Sequence, residues 1–167
     1  MTLTTHIAIA AAVTKTFAVQ NPVIGFFIAV ATHYAADAIP HWDYRLHAAS
    51  AFAGVPKENW TADQAGTFRA LIVRDIRSIA LDGITGALAA LIVIRPATTT
   101  QWLWLGAVIV GGCLPDLLQG LYLGGVRFLK PLQTFHDRMH TSIRLGPYPL
   151  IGIPFQALIF LAAIRML

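Results

Sequence analysis

One cysteine and one glutamate stand in 167 residues, and only 12% of the chain is charged. The lone Cys113 excludes an intramolecular disulfide and any zinc cluster built on thiolates, and its apolar run reads as the setting of a small packing residue. The lone Glu58, in a loop, excludes a di-iron bundle of the glutamate-ligated kind. The scarcity of charge excludes an ordinary soluble domain of this size, in which about 25% of residues are charged. With 56% hydrophobic residues and a mean hydropathy of +0.64, the composition is that of a membrane protein with a single domain over residues 1–167. The N-terminus, MTLTTHIAIAAAVTK, lacks a basic n-region, so it reads as a retained first membrane helix and not as a cleaved signal peptide. The net charge of +4 is then a topology signal, and no nucleic-acid partner is expected.

Five apolar segments follow one another, so the expected fold is all-α, a polytopic bundle of about five helices. The first covers residues 3–19, with Asn21-Pro22 as the turn, and the second covers 22–39 and is stopped by Pro40. Residues 40–60 form a polar loop. Thr61-Ala-Asp-Gln64 fits a capping box, which starts a long third helix near Ala62. Its first part, TADQAGTFRALIVRDIRS, is amphipathic and interfacial; its second, IALDGITGALAALIVI, spans, and Arg95-Pro96 ends it. The fourth segment covers 101–123, anchored by Trp102 and Trp104, a polar loop covers 124–147, and the fifth segment covers 148–166. If all five span, Arg45, Lys57, Arg69, Arg74, Arg77, Arg127, Lys130, Arg138 and Arg144 share one side, and Lys15, Arg95 and Arg165 the other. Nine against three predicts a cytoplasmic N-terminus and a multi-pass protein of the inner membrane.

All six histidines fall on that same side. His6 starts the first helix, His33 and Asp37 end the second, and His41, Asp43 and His47 lie just beyond. Asp82 and Asp116 sit at similar depth on other helices, and His136 and His140 lie in the last loop. Positions four apart share one face of a helix, so His33 with Asp37, and His136 with His140 if helical, are ligand pairs. Carboxylates at membrane depth face a cavity or a partner, and a divalent cation would offset their desolvation. The expected metal ligands are His6, His33, Asp37, His41, Asp43, Asp82, Asp116, His136 and His140. Their plainer roles are interfacial or packing histidines and, for Asp82, a cap or an ion pair with Arg74 or Arg77. His47 reads as a bystander, and Asp63, Asp75 and Glu58 as a solvated face. Gly111-Gly112 and Pro115 loosen the fourth helix just before Asp116, and Gly83 and Gly86 allow close helix packing.

Thr5-His6, His33-x-x-x-Asp37, Pro40-His41-Trp42-Asp43, Leu114-Pro115-Asp116 and His136-Asp-Arg-Met-His140-Thr141-Ser142 together resemble a family of small bacterial inner-membrane proteins classed as membrane-bound metal-dependent hydrolases. That family is itself distantly similar to zinc-dependent phospholipase C. The chain departs from its pattern where His41 replaces the first Asp of a Pro-Asp-x-Asp element. The last two histidines are also four apart where the family has five. The resemblance implies a divalent-metal hydrolase.

Histidine and aspartate without thiolate suit Zn²⁺, and Mn²⁺ or Fe²⁺ are compatible; two or more ions fit so many ligands. The expected function is a hydrolase at the cytoplasmic face acting on a phosphoester of a lipid or other amphiphile. Asp43 or Asp137 would serve as base, and Arg138 or Arg144 would clamp the phosphate. Two rivals stand beside it: a di-iron membrane oxidase of the desaturase kind, and a non-enzymatic metal-binding protein or transporter. The first lacks the usual histidine complement, and the second needs polar groups on both halves of a path.

Overall fold

A computed structural model describes residues 1–17, 21–51 and 61–167, so the end of the first apolar segment at residues 18–20 and the loop residues Lys57 and Glu58 lie outside the described residues. The described residues are all-helical. In chain order the helices are α1 (Leu3–Thr16), α2 (Pro22–Asp37), a short α3 (His47–Ala51), α4 (Ala62–Ile94), α5 (Thr99–Leu123), α6 (Lys130–Met139) and α7 (Pro149–Arg165).

Local chemistry sets the boundaries. The Asn21 side chain accepts from the amides of Val23 and Ile24 and caps α2, with Pro22 in its first turn. The Thr61–Gln64 capping box forms as the sequence predicts and opens α4, which runs unbroken for 33 residues. Arg95 ends α4 in the left-handed region, with φ 49° and ψ 63°. A second capping box, Thr98 with Gln101, starts α5 two residues before the expected position.

The expected loop over 124–147 is corrected. It contains a 3₁₀ turn at Arg127–Leu129 and the amphipathic helix α6, which Pro131 helps to start. A ten-residue polar helix gives no apolar run to read.

The core is α1. It packs against α2, α4, α5 and α7, and Ile7, Ala8, Ala10, Ala11 and Ala12 are all buried. Alanines let one helix be surrounded closely on every side. Facing glycines do the same: a Cβ on Gly86 would lie 2.6 Å from the Thr4 Cα, and one on Gly111 2.6 Å from the Phe26 carbonyl oxygen. Gly25 meets the Trp104 ring while His33 meets Asp116, so α2 and α5 run parallel.

Two helices, α4 and α5, are long and apolar enough to cross a membrane, whereas α2 and α7 are apolar but shorter. The 14-residue α1 is an enclosed core helix.

Candidate metal centre

Four elements end at one corner of the bundle. The start of α1 brings His6, the end of α2 brings His33 and Asp37, α5 brings Asp116, and α6 brings His136. Two extended segments complete the corner. The Thr141 amide donates to the Asp37 carbonyl at 2.8 Å, and the Leu145 amide donates to the His41 carbonyl at 3.2 Å. These bonds run residues 37–41 alongside 141–145 and set His41 near His140, their ring centres 4.8 Å apart.

Asp37 is the hub and is fully buried. Its Oδ2 lies 3.1 Å from His33 Nε2 and 3.0 Å from His136 Nε2. Its Oδ1 lies 3.2 Å from His6 Nε2 and 3.8 Å from His41 Nε2. Asp116 Oδ1 closes one side, 3.5 Å from His33 Nε2 and 3.8 Å from His136 Nε2. Asp43 Oδ2 is 3.1 Å from His41 Nε2 and 4.0 Å from His140 Nε2. The Met1 amino nitrogen, a positive group, stands 3.1 Å from Asp37 Oδ1 and 2.8 Å from Asp43 Oδ1.

The hydrogen bonding of the rings indicates what the cluster is for. His33 Nδ1 lies 2.7 Å from the Gly112 carbonyl, and His41 Nδ1 lies 2.7 Å from the Ile39 carbonyl. A carbonyl only accepts, so each Nδ1 carries the proton. In a neutral ring each Nε2 then holds a lone pair. Those lone pairs face carboxylate oxygens, which are also acceptors. Acceptor against acceptor is repulsive unless a second ring proton or a metal ion sits between them; at His41 the 3.1 Å contact of Nε2 with Asp43 Oδ2 is a hydrogen bond, and the ring there is a double donor.

Both ring nitrogens of His6 and Nε2 of His33 are buried without a hydrogen-bond partner, their carboxylate neighbours being off the donor direction. Buried polar atoms are rarely left so. Three carboxylates here also bring three negative charges into an apolar bundle, and divalent cations would offset that cost.

The spacing fits an ion. Bonds of about 2.0–2.1 Å in a tetrahedron place ligand atoms about 3.4 Å apart. The distances from Asp37 and Asp116 to His33 and His136 run from 3.0 to 3.8 Å. Two groups could therefore hold an ion: His33, Asp37, Asp116 and His136, and Asp37, His41 and His140.

Charges at the rim follow. Burial alone would raise the Asp43 carboxyl, but the His41 hydrogen bond and the positive Met1 amino group outweigh it and hold Asp43 below the usual carboxylate range. Burial pushes the His140 imidazole down, which favours the neutral form that a ligand needs. Burial, then the charges of Asp82, Asp116 and Asp43, push the Tyr44 phenol up, so it stays a donor beside three carboxylates. Tyr44 and the Met1 amino group are absent from the sequence expectation. Only Tyr44 left a trace there, directly after Asp43.

Asp82 does not join the cluster. It receives the Leu3 amide at 2.6 Å and the Thr4 hydroxyl at 2.6 Å, and so caps the start of α1 from across the bundle. Asp82→Ala is expected to cost about 1–2 kcal/mol of stability through the lost cap and to leave bound metal unchanged. Thermal unfolding and elemental analysis of the same preparation check both halves, and a fall in metal content would return Asp82 to the ligand set. Asp75, expected on a solvated face, is buried and accepts from the His47 and Ala48 amides, capping α3. His47 pairs with Asp75 away from the centre. Asp137 is exposed and accepts from Gln133 Nε2 at 2.8 Å, while Arg138 and Arg144 are exposed near His136 and His140 in sequence. Cys113 is half-buried against the core.

No protein-family model, characterised protein or solved structure matches the chain. What the fold and site define is a class: a protein whose described residues are all-helical, two of those helices apolar enough for a membrane, with a buried His/Asp group that could hold a metal ion.

Proposed function

We propose that this protein is a membrane-embedded, metal-dependent hydrolase that works at the cytoplasmic face of the inner membrane on a phosphoester of a lipid or other amphiphile. The observation that carries the reading is the buried shell of lone-pair atoms around Asp37, spaced as ligands to a small divalent cation. Imidazole and carboxylate without thiolate favour Zn²⁺. The resemblance of the His/Asp motifs to membrane-bound metal-dependent hydrolases points the same way.

The membrane setting is supported by rows of large exposed apolar residues. On α4, Leu81, Ile84, Leu88 and Ile92 are each more than half exposed, and on α7, Leu150 is 91% exposed. Contiguous apolar surface of this extent calls for lipid or a partner, not water. The basic residues Arg69, Arg74, Arg77, Arg138 and Arg144 belong to the segments around the His/Asp end, which favours a cytoplasmic site.

The residues divide the work as follows. His33, Asp37, Asp116 and His136 would hold one ion, and Asp37, His41 and His140 form a second group that would hold metal beside Asp43. A bound divalent cation supplies Lewis acidity and lowers the pKa of water. Asp43, half-exposed at the mouth and kept ionised, is the base; Asp137, the other candidate, is exposed and accepts from Gln133. Tyr44 donates a hydrogen bond at the rim, and Arg138 and Arg144 meet the phosphate.

The test uses the full chain in detergent–phospholipid mixed micelles, with ³¹P NMR to detect a released phosphate ester or inorganic phosphate. Cleavage is expected with Zn²⁺ or Mn²⁺ bound, lost on chelation and restored by metal. A protein that retains its metal and cleaves neither phospholipids nor soluble phosphoesters overturns the reading.

A further inference from the structure

The two ligand groups share one residue, and their surroundings differ. The first group has four ligands, His33, Asp37, Asp116 and His136, drawn from three helices. Both histidines and Asp37 are buried, and the Asp116 side chain is 27% exposed. The second group has three, Asp37 at the end of α2, His41 beyond it and His140 capping α6, with His140 21% exposed and the neighbouring Asp43 46% exposed.

Asp37 turns a different oxygen to each. Oδ2 faces His33 and His136, and Oδ1 faces His6 and His41. A carboxylate placed in this way bridges. On the Oδ1 side, where the Met1 amino group also stands 3.1 Å away, His6 is a second, independent pointer to a cation. It is 1% exposed, its Nε2 is 3.2 Å from Oδ1, and neither of its ring nitrogens has a hydrogen-bond partner.

We propose that the centre holds two ions of unequal character bridged by Asp37. The inner ion is closed by His33, Asp37, Asp116 and His136. The outer ion is held by Asp37, His41 and His140 and keeps coordination places open to solvent and substrate.

The difference follows from ligand number and burial. Four protein ligands saturate a tetrahedral ion, as structural sites do, whereas three leave a place free, as catalytic sites do. The inner ion therefore binds first and exchanges slowly. The outer ion exchanges freely and is the one that a phosphate oxygen can reach, past the exposed Asp43. This inference rests on the hydrolase reading only for what the outer ion does; the pair itself is tested without activity.

Metal-free full-length protein in detergent is titrated with Mn²⁺ and followed by calorimetry and EPR. Two equivalents are expected, the second weaker by about tenfold or more, and its binding should couple the spins through the Asp37 bridge. His140→Ala and His41→Ala, both on segments outside the helices, should each remove the weak equivalent and keep the tight one. His136→Ala should remove the tight one. One equivalent in the unmodified protein, two equivalents without coupling, or loss of the tight equivalent in both His41→Ala and His140→Ala overturns the pair. A single equivalent with metal-dependent cleavage intact would sink the pair and leave the hydrolase reading standing. A coupled pair with no cleavage would do the reverse.

Discussion

Asp37→Asn is expected to strip the protein of metal and to lower hydrolysis by about a thousandfold or more. Metal assistance to a phosphoryl centre is worth several kcal/mol, and each 1.4 kcal/mol is tenfold in rate. The substitution is nearly isosteric, so the effect isolates charge from shape. In the unmodified protein four imidazoles lie within 3.0–3.8 Å of the Asp37 oxygens. The asparagine amide nitrogen donates where the carboxylate could only accept, so it satisfies a lone pair of His33 or His136 directly. The variant without metal should then be as stable as the unmodified protein without metal, or more so. With metal, the order reverses. At free metal one hundred times its Kd, binding stabilises the unmodified protein by about 2.7 kcal/mol, or about 5–10 °C in a chain of this length. Asp37→Asn should show no such shift. Thermal unfolding of both proteins, with and without chelator, reads the difference. A variant that melts low whether or not metal is present would make Asp37 a packing residue and not a ligand.

The sequence carried the His/Asp set further than it carried its internal order. His33 and Asp37 sit one helical turn apart, and that spacing alone puts both on one face. His136 and His140 also lie one turn apart, because the segment is helical to Met139 with His140 as its cap, but they fall in different ligand groups. Asp116 follows Pro115, and the loosened stretch of α5 presents the Gly112 carbonyl that fixes the His33 ring. Asp82 and Asp75 depart from the sequence expectation for one reason. A carboxylate near a helix start is stabilised by free amides as well as by a cation. In both cases the amides belong to a different helix, those of α1 for Asp82 and of α3 for Asp75. Sequence spacing shows which residues share a face; it does not show which helix end comes to rest beside them. The second capping box, Thr98 with Gln101, follows the same rule as Thr61 with Gln64 and opens α5 two residues ahead of the apolar run that begins at Gln101. The membrane expectation divides by helix. α4 and α5 meet the length that a span needs, and the alanine-rich α1 shows that an apolar segment can be the packed centre of a bundle instead.

Gly111→Ala should lower stability by about 1–3 kcal/mol and weaken metal binding by about tenfold or more, although residue 111 touches no metal ligand side chain. The added Cβ would stand 2.6 Å from the Phe26 carbonyl oxygen and 2.9 Å from the Ala29 Cβ, so α2 and α5 must move apart. Those two helices carry His33 and Asp116, 3.5 Å from each other, and His33 is held by the next carbonyl of α5, at Gly112. A shift of about an ångström opens the ligand set and loosens the ring that the carbonyl orients. The same helix supplies the controls. Gly106 and Gly120 have nothing within 4 Å of an added Cβ. Alanine at either should leave metal binding unchanged and stabilise the helix by about 0.5–1 kcal/mol, because glycine in a helix interior loses more backbone freedom on folding. Unfolding midpoints and Mn²⁺ affinities of the three variants, measured side by side, separate the two effects. If Gly111→Ala binds metal as tightly as Gly106→Ala, the α2–α5 contact does not set the geometry of the centre. The positions of His33 and Asp116 would then have to be fixed by α6 and the paired segments at residues 37–41 and 141–145.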